Sequence, residues 1–154
     1  MNQAGGSYDS SRGEYRKGSV QAGGHYFPDY TKVPMLADEF CKKANEKNKT
    51  VRSRGEILSF SFTAHFNLVS IHPFADGNGR ISRLLMNYIQ AYYNLPLGMV
   101  YTEDRSKYIE ALNACREKES TDPIVEFLAK QYSKFLEEQI QKAAGSNKGM
   151  KFMF

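Results

Sequence analysis

The run His72-Pro73-Phe74-Ala75-Asp76-Gly77-Asn78-Gly79-Arg80 constrains this chain more than any other stretch. The proline after His72 restricts that residue to extended backbone angles, so the regular element that leads up to Ile71 is expected to stop there. Gly77 and Gly79 let the backbone turn tightly and approach a ligand with no Cβ in the way. From Arg80 onward, apolar residues at 81, 84, 85, 88, 89 and 92 keep helical spacing, so the turn delivers the chain into a helix N-terminus. Unpaired amides and the positive end of the helix dipole favour an anion at such a terminus, most naturally a di- or triphosphate.

Four side chains in that run carry complementary chemistry. His72 can take a proton from a hydroxyl near neutral pH. Asp76 offers a single carboxylate, which suits Mg²⁺, an ion that keeps several waters and draws the rest of its shell from phosphates. Asn78 can donate to a phosphate oxygen, and Arg80 can fork onto a terminal phosphate. Taken singly, a His-Pro step or a Gly-x-Gly is more often a structural turn than a site. Their combination points to a loop that handles phosphate.

The run His72-Pro73-Phe74-x-Asp76-Gly77-Asn78-Gly79-Arg80 resembles the signature loop of Fic-domain proteins, with every defining position filled. The likeness extends to Gly13-x-Tyr15-Arg16, to Ser82-Arg83-Leu84-Leu85-Met86-Asn87 and to Glu103-x-Arg105-Ser106-x-Tyr108, and covers roughly Gly13 to Glu138. It is nearer to the metazoan-type and related bacterial members than to the toxin-type ones. The resemblance implies an all-α, Fic-type helical bundle with a small β-hairpin flap. It implies transfer of AMP from the co-substrate ATP, with Mg²⁺, to a Ser, Thr or Tyr hydroxyl of a target protein, this chain itself included. The site it implies has His72 as base, Asp76 on Mg²⁺, the Gly77 and Gly79 amides on phosphate, Arg80 on the γ-phosphate and Arg83 one turn on. Asn78 completes the nucleotide set, and Phe74 anchors the loop by its ring. Ser19-Val20-Gln21-Ala22-Gly23-Gly24 resembles the flap that aligns a target's extended peptide by strand addition.

Removal of AMP, transfer of another nucleotide, phosphocholine or phosphate, and nucleotide binding without turnover remain alternatives at the same site. Many family members silence themselves with a helix carrying Ser/Thr-x-x-x-Glu-Gly/Asn. Ser133 to Glu137 is the nearest match in a predicted helix, and it departs at Glu138. Pairs of Ser and Glu at this spacing are common on solvated helix faces, so an inhibitory segment is expected upstream or on a partner instead.

The remaining sequence reads as a single domain over residues 13–144, between a disordered segment 1–12 rich in Gly and Ser and a tail 145–154 without period. At 41% hydrophobic and 25% charged residues, the composition is that of an ordinary globular protein. No apolar run reaches the length of a membrane helix and no secretory pattern is present, which places the expected location in the cytoplasm. The net charge of +4 is scattered and comes without a nucleic-acid-binding motif, so no nucleic-acid partner is expected. Cys41 and Cys115 fall at apolar positions of predicted helices and are expected as reduced core residues.

The Gly23-Gly24 pair between Ser19–Ala22 and His25–Phe27 predicts a hairpin. Val33–Lys43 predicts an amphipathic helix with Pro34 in its first turn, followed by a polar linker over residues 45–54. Between 58 and 68 apolar residues alternate strictly with polar ones, the period of a strand. The run exceeds ordinary strand length and its apolar set also covers most sides of a helix, so the resemblance decides for a buried helix from Glu56 to Ile71 with His65 in the interior. Further helices are expected from Arg80 to Tyr93, from Glu103 to Glu117 with Thr102 as cap, and from Asp122-Pro123 to Ala144, ending at Gly145.

Overall fold

A computed structural model of the chain describes residues 13–22 and 24–146; the segment 1–12, Gly23 of the expected flap and residues 147–154 of the tail lie outside the described residues. Among the described residues there are five α-helices and one two-stranded hairpin. They fall into two compact units, one ending at Leu95 and the other starting at Pro96.

In the first unit, β1 (Gln21–Ala22) pairs antiparallel with β2 (His25–Tyr26) in the register Gln21↔Tyr26 and Ala22↔His25. Gly24 turns the hairpin at φ +78°, and the Phe27 amide extends it by donating to the Val20 carbonyl at 3.3 Å. A 3-10 turn over Tyr30–Lys32, capped by the Asp29 carboxylate on the Thr31 amide, feeds α1 (Val33–Thr50).

Helix α1 is seven residues longer than its expected end at Lys43, and the polar linker shrinks to Val51-Arg52-Ser53. Its apolar face does not stop at Phe40. Phe40 and Ala44 pack on the cluster formed by Val51, Ile57, Phe60, Ala64 and Ile89, and the Tyr93 hydroxyl donates to the Asn48 carbonyl at 2.7 Å. The lysines and glutamate between them are competent helix formers on the solvent side, and Lys47 and Lys49 complement the dipole in the last turn.

Helix α2 (Arg54–Ile71) starts from a capping box that the sequence spells out as Ser53-Arg54-Gly55-Glu56. The Ser53 hydroxyl accepts from the Glu56 amide at 3.2 Å and the Glu56 carboxylate accepts from the Ser53 amide at 2.9 Å, an arrangement in which the cap alone contributes about 1 kcal/mol. The alternating 58–68 segment is helical, as expected. Ile57, Phe60, Ser61, Phe62, Ala64, His65 and Val69 are all buried, so nearly every side of α2 is covered and alternation carries no information about facing. Its small polar members are accommodated: the Ser61 hydroxyl donates to the Leu58 carbonyl and accepts from the Gln90 amide of α3 (Asn78–Tyr92).

In the second unit, Thr102–Asp104 forms a 3-10 turn, so α4 (Arg105–Lys118) begins two residues after the expected start. It packs with α5 (Asp122–Ser146), which continues through Gly145 and past its expected stop. Tyr108, Leu112, Cys115, Ile124, Leu128 and Tyr132 are buried there. Cys115 is the core residue expected, whereas Cys41 is exposed, because α1 turns that position away from its packed face. No helix of the described residues is long and apolar enough to cross a membrane.

Candidate active site

The site is built at the break between α2 and α3. Helix α2 ends when His72 takes left-handed angles, φ 52° and ψ 58°, as its C-cap, with its amide on the Leu68 carbonyl at 3.1 Å. This corrects the extended conformation expected from Pro73. The proline does exclude a continued right-handed helix, but a left-handed residue ends the helix and still satisfies its carbonyl, and histidine tolerates this region better than most side chains. The conformation costs about 1–2 kcal/mol for a residue with a Cβ, so it persists only where the surroundings hold it.

Arg16 holds it. Its guanidinium is buried, 2% exposed, and donates through Nε to the His72 carbonyl at 2.7 Å, through Nη1 to the Gly18 carbonyl at 2.9 Å and through Nη2 to the Pro28 carbonyl. Its own amide donates to the Pro73 carbonyl at 2.9 Å. One side chain thereby ties both legs of the hairpin to the loop. The His72 imidazole places Nδ1 3.2 Å from the Val69 carbonyl. A carbonyl only accepts, so Nδ1 carries the hydrogen in this contact and Nε2 is the nitrogen able to receive a proton. Against the ring lies Phe27, with centroids 3.8 Å apart and planes at 27°.

Downstream, Asn78 does not offer its amide to a phosphate as its sequence position suggests. Its side chain is 2% exposed, accepts from the Phe74 amide at 2.9 Å and donates to the Phe74 carbonyl at 2.8 Å, so it clamps the loop shut. The Phe74 ring packs near Tyr15, with centroids 6.1 Å apart, and half-buries itself. Gly77 is the N-cap of α3 at φ +80°, a conformation in which any other side chain would be strained. A Cβ on Gly77 would sit 3.5 Å from the Arg80 guanidinium, and one on Gly79 would sit 3.4 Å from Arg83 Nη1. Both guanidinium groups therefore fold back against Gly77 and Gly79, and the N-terminus of α3 is flanked by two positive charges.

Arg80 also pairs with Asp76 at 3.2 Å, and with side chains 75% and 80% exposed the pair is one that solvent screens heavily. Both groups can exchange it for phosphate or cation. Among the described residues no three His, Cys, Asp or Glu side chains converge on one point. A cation at Asp76 would draw most of its shell from water and substrate oxygens, and such a donor set suits Mg²⁺.

His65 sits in the interior, fully buried. Burial pushes its pKa down from the ordinary 6.5 to about 4, with the nearby Arg83 charge adding to the shift and a hydrogen bond with the Ser82 backbone opposing it. The unfolded chain therefore binds this proton more tightly than the folded one. The stability this neutral ring allows is complete above pH 6.5 and is lost as pH falls toward 4, an expected loss of about 3 kcal/mol. Urea unfolding midpoints between pH 7.5 and 4.5 measure it, and the slope should vanish in His65→Asn. An equal slope in that variant would assign the effect to other groups.

The remaining predicted site residues are distributed as follows. Ser19, Gln21, Ala22 and Gly24 are exposed and Val20 is half-buried, so β1 is open to solvent. Ser133 and Glu137 lie on the exposed side of α5, in the second unit. Arg16 and Phe27 are the residues sequence reasoning missed as parts of the site. Arg16 stood in the Gly13-x-Tyr15-Arg16 resemblance, but nothing in its spacing points to His72.

The comparisons agree with this architecture. Residues 2–90 match the Fic/DOC family. The chain is 35% identical over 117 residues to the protein adenylyltransferase Fic of Drosophila sechellia, a match that covers 76% of this chain and 23% of that protein. It thus spans about a quarter of the length of the curated relatives it matches. Among solved structures, a Fic domain containing signaling protein from Bacteroides thetaiotaomicron superposes with a TM-score of 0.75 at 26% identity, covering 86% of this chain and 56% of that one. Fic-1 from C. elegans gives 0.73 at 27% identity, covering 87% and 38%. The mostly helical fold with its small hairpin, the loop between α2 and α3 and the match over residues 2–90 establish that this chain belongs to the Fic/DOC family.

Proposed function

We propose that this chain transfers AMP from Mg²⁺–ATP to a Ser, Thr or Tyr hydroxyl of a protein. The observation that carries this reading is the N-terminus of α3, where the Gly77 and Gly79 backbone is flanked by the Arg80 and Arg83 guanidinium groups and followed back along the loop by His72 with Nδ1 on a carbonyl. Amides and guanidinium groups there suit the phosphates of ATP. Asp76 would hold Mg²⁺, which when bound offsets the charge of the phosphates. His72 Nε2 takes the proton as the target oxygen forms its bond to the α-phosphorus and the bond to pyrophosphate breaks. The protein's contribution is positioning and electrostatic stabilisation, to which a general base adds roughly 10²–10⁴-fold. The solvent-exposed β1 strand suits docking of an extended target segment by main-chain pairing. An inhibitory segment or partner acting on Arg80 belongs to the same reading.

Intact-mass measurement after incubation with ATP and Mg²⁺ tests it, with the expected result a gain of one AMP unit on the chain itself. ATP binding without any mass gain, alone or with candidate target proteins, would leave a nucleotide-binding module instead. Gain of a phosphate in place of AMP would reassign the reaction.

A further inference from the structure

We infer that the furrow between α1 and α2 is a peptide site that reads the target beside its acceptor hydroxyl, favouring apolar residues followed by a carboxylate; this rests on the transfer reading above. The furrow measures about 470 Å³, within the range of ligand-binding clefts. Only Val51-Arg52-Ser53 joins the two helices, and Phe40 and Ala44 of α1 pack on Phe60 and Ala64 of α2, so the helices return antiparallel. Lys47 and Phe60 therefore line one end of the furrow, and Leu36 and Ile71 line the other. The second end abuts the base. Ile71 immediately precedes His72, Pro28 lines the furrow as well, and the Arg16 guanidinium donates to the carbonyls of both His72 and Pro28.

From Leu36 to Lys47 on α1, and from Ile71 back to Phe60 on α2, the furrow runs about 16 Å at a helical rise of about 1.5 Å per residue. An extended chain covers that length in about five residues. The surfaces along it differ in kind. Phe40, Phe60 and Ala64 make an apolar floor. Thr63, Asn67 and Ser70, spaced along one side of α2, form a wall of hydroxyl and amide groups able to meet a peptide main chain. Among the charged lining residues, Lys43 and Lys47 outnumber Glu39 and lie beyond it from the base. Lys43 meets Glu39 only at 3.8 Å, between exposed side chains, so solvent screens the pair and an incoming carboxylate can displace it. Glu56, an acid near Lys47, is already committed to the Arg52 and Ser53 amides. A carboxylate about four to six residues from the acceptor hydroxyl complements the two lysines, and the floor takes apolar side chains between them.

The probe is a synthetic peptide library with one central Ser, Thr or Tyr and randomised flanks, treated with labelled ATP and Mg²⁺. The parent should favour Asp or Glu over Lys or Arg about fivefold at positions about four to six residues to one side of the acceptor, the scale of an exposed ion pair converted to rate. The double variant Lys43→Glu, Lys47→Glu should reverse that preference and leave ATP affinity within about twofold of the parent. Both positions are exposed, and melting curves check that the variant folds. If the double variant keeps the parent's preference, or the parent has none at those positions, the furrow does not read the target and the inference fails while transfer stands. If the parent modifies no peptide, anisotropy of a fluorescein-labelled peptide with Leu residues followed by Asp residues decides. Binding to the parent that is lost in the double variant keeps the furrow as a peptide site and drops the transfer reading, whereas equal binding or none drops both.

Discussion

His72→Ala is expected to lower AMP transfer by at least about 10²-fold while ATP binding stays within about twofold of the parent, because the change removes a proton acceptor and no phosphate contact. The side chain of His72 is committed to the Val69 carbonyl and the Phe27 ring, and neither partner lies in the glycine-rich turn. Its backbone, which Arg16 grips through the carbonyl, is retained by alanine. Two companion variants should fail in other ways. Asp76→Ala should weaken Mg²⁺-dependent ATP binding together with turnover, since Asp76 would hold the ion whose charge offsets that of the phosphates. Arg80→Ala should chiefly impair placement of the terminal phosphate, and with it turnover. Calorimetry of ATP with and without Mg²⁺ separates the binding effects, and labelled ATP reports transfer. Near-parental transfer by His72→Ala would end its assignment as the base. Loss of ATP binding in that variant would show that the ring touches nucleotide.

The second large effect is expected at Arg16, a residue remote from phosphate in the sequence and without a chemical step to perform. Arg16→Ala should destabilise the first unit by about 3 kcal/mol or more, since hydrogen bonds to a charged donor are worth about 1.5–3 kcal/mol each and three carbonyls lose their donor at once. A loss of that size corresponds to a melting temperature lower by roughly 10 °C in a chain of this length. Arg16→Lys should recover little, because an ammonium is a point charge and cannot span carbonyls on both hairpin legs and the loop as a planar fork does. Transfer measured well below the melting point should still be impaired, because the left-handed His72 backbone and the hairpin both lose their anchor. Thermal melting and transfer assays on the two variants check this. A melting temperature of Arg16→Ala within a few degrees of the parent would show that water replaces the guanidinium and that the anchor is dispensable.

Features decided by short stretches of chain were legible in the sequence. The stop of α2 before Pro73, the turn at Gly77 and the helix that follows are set by backbone sterics and periodicity within a few residues, and the described residues bear them out, although Gly79, expected in the turn, already lies in α3. Where local reading went astray, the signal was present but outweighed. The capping box at Ser53 and Glu56 marks the start of α2, yet the polar stretch before it reads as a linker, because charged residues on the solvent face of a helix look like those of a loop until the packing of Ala44 and Val51 is known. The left-handed angles of His72 likewise follow from how a helix ends, a matter on which the rule for residues before proline is silent.

Asn78 and Arg16 mark the boundary between the two kinds of information. Residue type alone makes Asn78 a credible phosphate donor, and only its burial against the Phe74 backbone makes it a clamp. Arg16 and Phe27 reach His72 across most of the first unit, 56 residues away in the case of Arg16, and no periodicity or motif spacing encodes such a meeting. The sequence by itself determined the helix stop, the turn and the residue types of the loop, since backbone sterics and side-chain type act over neighbouring residues. The tertiary structure alone decided which side chains hold that loop and which way its histidine faces, since those depend on desolvation and packing between segments that only the folded chain brings together.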